Sequence, residues 1–173
     1  MNSRFRRFVK HLWLDQADTR RAIGPAALQR LRDAVTVSER RHSGEIRIFV
    51  EAGLPLAYLL RKSPSSQLVR HRALALFGEL RVWDTAGNNG VLIYLLLAER
   101  KIEIVADRGL NDLVDAQIWQ SLVARMSGAF ATGRFEEGLA QALAEVSSLL
   151  EQHFALASAQ SNRNELPDTP VLG

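Results

Sequence analysis

The hydrophobic pattern is clearest over residues 91–106, where it predicts two strands and a turn. Residues 91–98 are apolar without interruption, whereas residues 101–106 alternate between apolar and polar side chains. An uninterrupted apolar run is typical of a strand that is buried on both faces, and alternation is typical of a strand with one solvated face. The Glu99-Arg100 pair between the two runs marks a tight turn. The pattern therefore predicts an antiparallel hairpin.

The register predicted for this hairpin places Ala98 opposite Lys101, and therefore Leu92 opposite Asp107. Because the strands are antiparallel, the loop before the first strand and the loop after the second meet at one end of the sheet. The first loop, residues 83–90, is rich in turn-forming residues. Polar side chains on loops that a rigid scaffold holds are a frequent place for function.

Other elements follow from the same periodicities. Residues 45–51 alternate as a strand, and the segment that begins at Ser63-Pro64 has the apolar spacing of a helix. Further helices are predicted over 25–41, 114–130 and 135–154. A strand, a helix and a strand in succession form a right-handed parallel crossover. The predicted fold class is α/β, a three-layer α/β/α sandwich whose small mixed sheet contains one βαβ crossover and one antiparallel hairpin.

Length and composition predict one folded domain. The chain has 173 residues, of which 47% are hydrophobic, which is enough for a single core. We divide it into a basic N-terminal helix and linker (1–22), the α/β domain (23–155) and a C-terminal tail (156–173). The tail is rich in Ser, Gln, Asn and Pro, so we expect it to be disordered.

Composition also excludes several classes of site. The chain has no cysteine, which excludes disulfides and thiolate chemistry. The longest apolar run is eight residues, far short of the roughly 20 that cross a bilayer, and no secretory signal pattern is present. We therefore expect a cytoplasmic protein. Residues 1–82 hold 16 basic and 7 acidic side chains, but the arginines are dispersed and no nucleic-acid motif occurs among them, so no nucleic-acid partner is predicted.

The N-terminal segment, residues 4–13, has the pattern of a basic amphipathic helix. Phe5, Phe8, Val9 and Leu12 share one face, and basic residues occupy most of the rest. Such a helix can make weak contact with an anionic membrane surface. The interpretation that we favour is a helix packed on its own domain, because ten residues make a weak anchor.

Three stretches of this chain, together with Trp119, resemble the TPM domain family. They are Ser43-Gly44-Glu45-Ile46, Asn88-Asn89-Gly90-Val91-Leu92-Ile93-Tyr94 and Glu103-Ile104-Val105-Ala106-Asp107-Arg108-Gly109. The resemblance extends over about residues 25–154. It implies a three-layer α/β sandwich with a small mixed sheet.

The resemblance implies no single function, because the family is heterogeneous. A plant member of the thylakoid lumen is linked to photosystem II repair and described as an acid phosphatase. Animal members are membrane-anchored accessory proteins of receptors, and some bacterial members bind calcium. This sequence lacks a signal peptide, a membrane anchor and a Gly-rich tail, so it looks like a soluble, Arg-rich bacterial branch of the family.

Acidic side chains near the predicted loop end are candidate ligands for Ca²⁺ or Mg²⁺, which prefer oxygen ligands. The candidate metal ligands are Asp84, Asp107, Asp112, Asp115 and Glu45, and the candidate ligand-binding residues are Asn88, Asn89 and Arg108. The alternative is local: an aspartate in these positions also forms Asx-turns or caps a helix. No calcium-binding loop of the EF-hand type occurs in the sequence.

The function predicted from these residues is a non-catalytic module that binds a divalent cation, or interacts with a protein partner, through an acidic pocket at the sheet edge. No catalytic residue is predicted. One alternative is a weak metal-assisted acid phosphatase, for which Asp107 and Arg108 are the only compact acid and base pair. A second alternative is a peripheral membrane-associated accessory protein.

Overall fold

The computed structural model describes the backbone of residues 3–157 and 161–173, with side chains from Phe8 onward. Eight helices and four strands lie within these ranges. In chain order they are α1 (Ser3–Leu12), α2 (Gln16–Ala22), α3 (Pro25–Ser38), β1 (Ile46–Glu51), α4 (Leu56–Leu59), α5 (Ser65–Glu79), β2 (Val91–Leu96), β3 (Lys101–Ala106), α6 (Arg108–Asn111), α7 (Ala116–Ala131), α8 (Phe135–Phe154) and β4 (Val171–Leu172).

The four strands form one open mixed sheet in the order β3-β2-β1-β4. Strand β1 is parallel to both β2 and β4, and β2 is antiparallel to β3. The predicted α/β fold class is confirmed, including the crossover between β1 and β2 and the hairpin between β2 and β3.

The hairpin register differs from the predicted one by two residues. Leu96, not Ala98, lies opposite Lys101, so the turn has four residues. The predicted pairing is wrong because the backbone N–H groups of Leu97 and Ala98 donate to carbonyls at the end of β1 and continue the parallel ladder there. A shift by an even number of residues keeps every side chain on its predicted face.

Each face of the sheet has its own hydrophobic core. Alternate residues of β2 enter opposite cores: Val91, Ile93 and Leu95 pack with helices α3, α7 and α8, whereas Leu92, Tyr94 and Leu96 pack with α5. All six are fully buried, as the uninterrupted apolar run predicts. Burial of apolar surface on both faces fixes β2 as the centre of the domain.

The C-terminal segment differs from the expected disordered tail over residues 161–173. Strand β4 extends the sheet beside β1, and the Gly173 N–H donates to the Val50 carbonyl at 2.9 Å. Leu166 is buried, and its N–H donates to the Glu45 carboxylate at 3.0 Å. The Arg47 guanidinium donates to the carbonyls of Pro167 and Thr169. Polar contacts to β1 and the packing of Leu166, Val171 and Leu172 on the two cores together hold this segment.

The N-terminal helix packs on the domain through its second half. Phe8 contacts the core beneath α5, whereas the side chains of residues 1–7, including Phe5 of the predicted apolar face, lie outside the described residues. None of the described helices combines the length and the apolar composition that a bilayer crossing requires.

Candidate functional site

The two predicted loops meet at one end of the sheet. The Asp107 N–H donates to the Gly90 carbonyl at 2.8 Å, and the Gly109 N–H donates to the Asn88 carbonyl at 2.8 Å. Two backbone bonds therefore join the loop before β2 to the residues after β3. We call this place, formed by residues 87–90 and 107–109, the Asp107 corner.

Gly109 allows the two loops of the Asp107 corner to approach so closely. A Cβ atom on Gly109 would lie 2.5 Å from the Asn88 carbonyl oxygen and 2.8 Å from that of Gly87. Both distances are shorter than real carbon contacts, so any other residue would push the loops apart. The glycine of the Asp-Arg-Gly sequence is thus explained by packing of backbone on backbone.

Two of the predicted metal ligands cap helices. Asp107 precedes α6, and its Oδ1 accepts from the Arg108 N–H at 2.7 Å. Asp115 precedes α7, and its Oδ1 accepts from the Gln117 N–H at 2.7 Å. Carboxylates in these positions satisfy backbone donors that the first helical turn leaves unpaired. Helix capping, which is the alternative to metal binding, therefore accounts for one carboxylate oxygen of Asp107 and one of Asp115.

Two other predicted ligands face solvent. Asp84 lies in the turn after α5 and is exposed, and Asp112 is the exposed residue that ends α6. Among the described residues, no group of three or more His, Asp or Glu side chains is placed to hold a metal ion. The predicted five-carboxylate pocket is therefore not assembled in this structure.

Glu45, the fifth predicted ligand, turns to the C-terminal segment. Its two carboxylate oxygens accept from the Asn162 side chain at 3.2 Å and from the Leu166 N–H at 3.0 Å. The side chain is almost completely buried, and burial raises its pKa. Glu45 thus lies at the predicted end of the sheet, but its contacts hold the C-terminal segment.

The predicted amide ligands have different roles. Asn89 is buried, its N–H donates to Thr85 Oγ1 at 3.1 Å and its amide donates to Ser43 Oγ at 3.2 Å, so it stabilises the loop. Asn88 has a positive φ of 48°, which asparagine tolerates better than most residues. Its Oδ1 accepts from the exposed Arg108 guanidinium at 2.9 Å. Asn88 and Arg108 therefore pair on the surface of the corner.

One carboxylate oxygen of the corner has no protein partner. Asp107 Oδ2 is buried and accepts no hydrogen bond from the described residues. A buried oxygen of this kind is costly unless a partner satisfies it, so it is uncommon in folded proteins. Trp119 Nε1, on α7, is the other buried side-chain atom without a partner in the described part of the chain. The Asp107 oxygen is a hydrogen-bond acceptor, and the Trp119 nitrogen is a donor.

A groove of about 580 Å³ lies beside the same corner and was not predicted from the sequence. Strand β3 forms one wall and α7 the other, and Trp119 and Val123 line it together with Arg70 of α5. Arg70 donates to the Ile104 carbonyl at 2.7 Å, and burial raises the pKa of its neighbour Glu103. Because β3 is an edge strand, this groove is open along the border of the sheet.

Sequence reasoning also missed the acidic residue with the most altered environment. Glu39 follows α3, is 5% exposed, and accepts from the Ile46 N–H at 2.9 Å. Burial, together with the nearby charges of Glu45 and Asp168, raises the pKa of Glu39 to about 8. A signal was present: Glu39 continues the four-residue spacing of Leu31 and Val35, the buried stripe of α3.

Comparisons with known proteins agree with this architecture. The structure is similar to the NMR structure of the BA42 protein from the psychrophilic bacterium Bizionia argentinensis, with a TM-score of 0.73 and 26% sequence identity. The similarity covers 87% of this chain and 95% of that one. No curated protein matches the sequence. A sequence model of the TPM domain matches residues 16–149, most of the chain, and the chain therefore belongs to the TPM domain family.

Proposed function

We propose that this chain is a non-catalytic TPM-domain binding module that takes a divalent cation at the Asp107 corner. The observation that carries the proposal is Asp107 Oδ2, a buried carboxylate oxygen without a partner. A cation bound there would satisfy this oxygen, which the folded chain by itself leaves unpaired.

The oxygens around Asp107 suit a hard cation in part. Besides Oδ2, the corner holds the carbonyl oxygens of Gly87 and Asn88, which approach Gly109 closely, and the Asn88 side-chain oxygen. Carboxylate, amide and carbonyl oxygens are the ligands that Ca²⁺ accepts in irregular geometry, whereas Mg²⁺ demands a near-octahedral set. We therefore propose Ca²⁺ before Mg²⁺. With one carboxylate, the affinity should lie at the weak end of known calcium sites.

Binding is a better proposal than phosphoester hydrolysis. A phosphatase needs a nucleophile or an activated water, and a cation against the phosphoryl oxygens. The Arg108 guanidinium, predicted as the cationic partner, donates to the Asn88 side chain, and no contact among the described residues joins it to the Asp107 carboxylate, so the acid and base pair of the phosphatase alternative has no support from these contacts. A protein partner and a cytoplasmic location stay part of the proposal.

The test is a calcium titration of the full chain followed by NMR. We expect saturable shifts in the amide signals of residues 87–90 and 107–109, and their loss in Asp107→Asn, which keeps the cap but removes the charge. Asp115→Asn is the matched control, because Asp115 caps the next helix in the same way and should leave the titration unchanged.

Two results would contradict the cation proposal. One is a wild-type titration without saturable shifts at this corner. The other is an equal response of Asp107→Asn and wild type, which would assign any bound calcium to other carboxylates. Activity of the wild type on a chromogenic phosphate ester, lost in Asp107→Asn, would favour the phosphatase alternative.

A further inference from the structure

The opposite end of the sheet, where the hairpin turns, carries the last turn of α1. His11 is buried, its Nδ1 accepts from the Leu54 N–H at 2.9 Å, and its Nε2 lies 2.9 Å from a carboxylate oxygen of Glu99. Since Nδ1 accepts, Nε2 carries the proton and donates to Glu99. The Gly53 backbone packs directly on the His11 backbone. These contacts fix the end of α1 against the domain.

Large apolar side chains remain outside this anchored end. Leu12 is 63% exposed and Trp13 is 80% exposed, immediately after the buried His11. Leu56 and Leu60, on and just after α4, are 53% and 64% exposed. Helix α4 begins two residues after Leu54, which His11 contacts, so the two pairs belong to the same end of the domain. We call these four residues the hairpin-end surface.

Exposure on this scale requires an explanation. Tryptophan is highly buried on average, because it removes more apolar area from water than other side chains. Single exposed leucines are common on protein surfaces, but several together with an exposed tryptophan mark a contact surface. The hairpin-end surface is therefore a candidate for docking.

The charges around the hairpin-end surface indicate the chemistry of the partner that docks on it. The only three lysines of the chain, Lys10, Lys62 and Lys101, all lie at this end: one in α1, one after α4 and one at the start of β3. Lys10 and Lys101 lie near Glu99. The hydrogen bond from His11 is the largest cause of the lowered pKa of Glu99, and the charges of these two lysines lower it further. Lysine is depleted in protein–protein interfaces but attracted to anionic lipid headgroups.

The acidic groups nearby are already engaged. Glu99 accepts from His11. Asp15 and Asp18 form the capping box that begins α2, in which each carboxylate accepts from the backbone of the other residue. These hydrogen bonds hold the carboxylates in place but leave them charged, so attraction to an anionic surface rests on the three lysines.

We propose that the hairpin-end surface docks on an anionic lipid membrane, with Leu12 and Trp13 at the interface and the three lysines against the headgroups. Apolar insertion and electrostatic attraction are each too weak alone and together give reversible attachment. The proposal goes beyond the cation site, which lies at the other end of the sheet. It keeps only the last part of the predicted segment 4–13, because Phe8 and His11 pack against the domain whereas Leu12 and Trp13 face solvent.

The test is sedimentation of the full chain with vesicles of phosphatidylcholine and phosphatidylserine, and with vesicles of phosphatidylcholine alone. We expect sedimentation with the anionic vesicles only, and its loss at about 1 M salt, where the Debye length is about 3 Å. The double variant Leu12→Ser/Trp13→Ser should partition about tenfold less. Lys101→Ala should lower partitioning about fivefold.

Trp83→Ser provides the matched control. Trp83 is 49% exposed and precedes β2, at the end of the sheet that carries the Asp107 corner, so its loss should leave partitioning unchanged. Because Leu12 and Trp13 face solvent, the double variant should keep the melting temperature of the wild type. Asp107→Asn should sediment like the wild type, which separates this proposal from the cation site.

Several outcomes would overturn the membrane proposal. Wild-type protein that stays in the supernatant at low salt would do so, as would a double variant that sediments like the wild type. Concentration-dependent self-association of the wild type, lost in the double variant, would assign the surface to a second copy of the chain instead.

Discussion

Two acidic corners lie at the same end of the sheet and differ in burial. At the Asp107 corner, Asp107 caps a helix and is only half-buried, and its backbone joins the loop before β2 to the residues after β3. At the second corner, Glu39 and Glu45 are buried beneath the C-terminal segment, near Asp168. We call this second group the Glu39 corner. Both corners contain carboxylates, and at the Glu39 corner burial raises the pKa of Glu39 to about 8 and raises the pKa of Glu45.

The comparison shows that a loop position in the sequence does not by itself indicate how deeply an acid is buried. Asp84 and Asp112 lie in turns and face solvent, so folding changes their environment little, whereas Asp107 in the neighbouring loop has one buried carboxylate oxygen. A glutamate in the apolar stripe of a helix is carried into the core with its helix. Its charge then meets a low dielectric and other carboxylates, which is the environment that alters chemistry.

The largest expected effect comes from Glu39→Gln at alkaline pH. The pKa of Glu39 is raised from 4.5 to about 8. Because the folded state binds the proton more tightly than the unfolded state, the contribution of Glu39 to stability is fully present below pH 4.5 and is lost as the pH rises to about 8. The glutamine keeps the oxygen that accepts from Ile46. We expect the variant to exceed wild type by on the order of 4 kcal/mol above pH 8.

Urea denaturation at several pH values measures this difference. The two proteins should have similar stability near pH 4 and diverge as the pH rises. Asp33→Asn, an exposed acid on the same helix, should show no such gain. Stability curves for Glu39→Gln and wild type that stay parallel across the pH range would show that Glu39 is charged and satisfied in the folded state.

A smaller effect is expected when Arg47 no longer binds the C-terminal segment. Arg47→Met keeps the apolar stem of the side chain but removes the donors to Pro167 and Thr169. We expect a loss of about 3 kcal/mol of unfolding free energy, because hydrogen bonds from a buried charged group are the strong ones. Limited proteolysis should then cut within residues 161–169.

Arg32→Met is the control for this measurement, since Arg32 is exposed and pairs with its neighbour Asp33 on the surface. It should leave stability and proteolysis unchanged, within about 0.5 kcal/mol. Equal protection of the segment in Arg47→Met and wild type would mean that pairing of β4 with β1 is sufficient to hold it.

The smallest effect is expected at two exposed acids that flank the Asp107 corner in the sequence. Asp84 and Asp112 face solvent, and the structure records no side-chain hydrogen bond for either of them within the described ranges. Asp84→Asn and Asp112→Asn should each change the free energy of unfolding by less than about 0.5 kcal/mol. A loss above about 1 kcal/mol in either variant would place that carboxylate in a contact that the structure does not record.

Much of the fold follows from periodicity. The apolar run of β2, the alternation of β1 and the four-residue spacing of the long helices identify elements that the structure confirms. The hairpin register was missed because Leu97 and Ala98 pair with the end of β1, a contact between residues far apart in sequence. The C-terminal segment was missed for a similar reason, since Glu45 and Arg47 hold it from another strand.

The sequence predicted where the candidate site lies but not how its side chains are oriented. Antiparallel pairing of β2 with β3 requires the two loops to meet, so the Asp107 corner follows from the sequence. The orientation of each side chain does not, because Asp107, Asp112 and Asp115 lie within a few residues of one another and still divide between capping and solvent.

The sequence by itself determined the layer order and the end of the sheet where the polar loops meet, because local periodicity encodes which face of each element is buried. Three short stretches of sequence, and not the periodicity, carried the resemblance to the family. Only the tertiary structure decided which acids are covered, where the C-terminal segment binds and which apolar residues stay exposed. These depend on contacts between distant segments, and the free energy of each charge depends on everything packed around it.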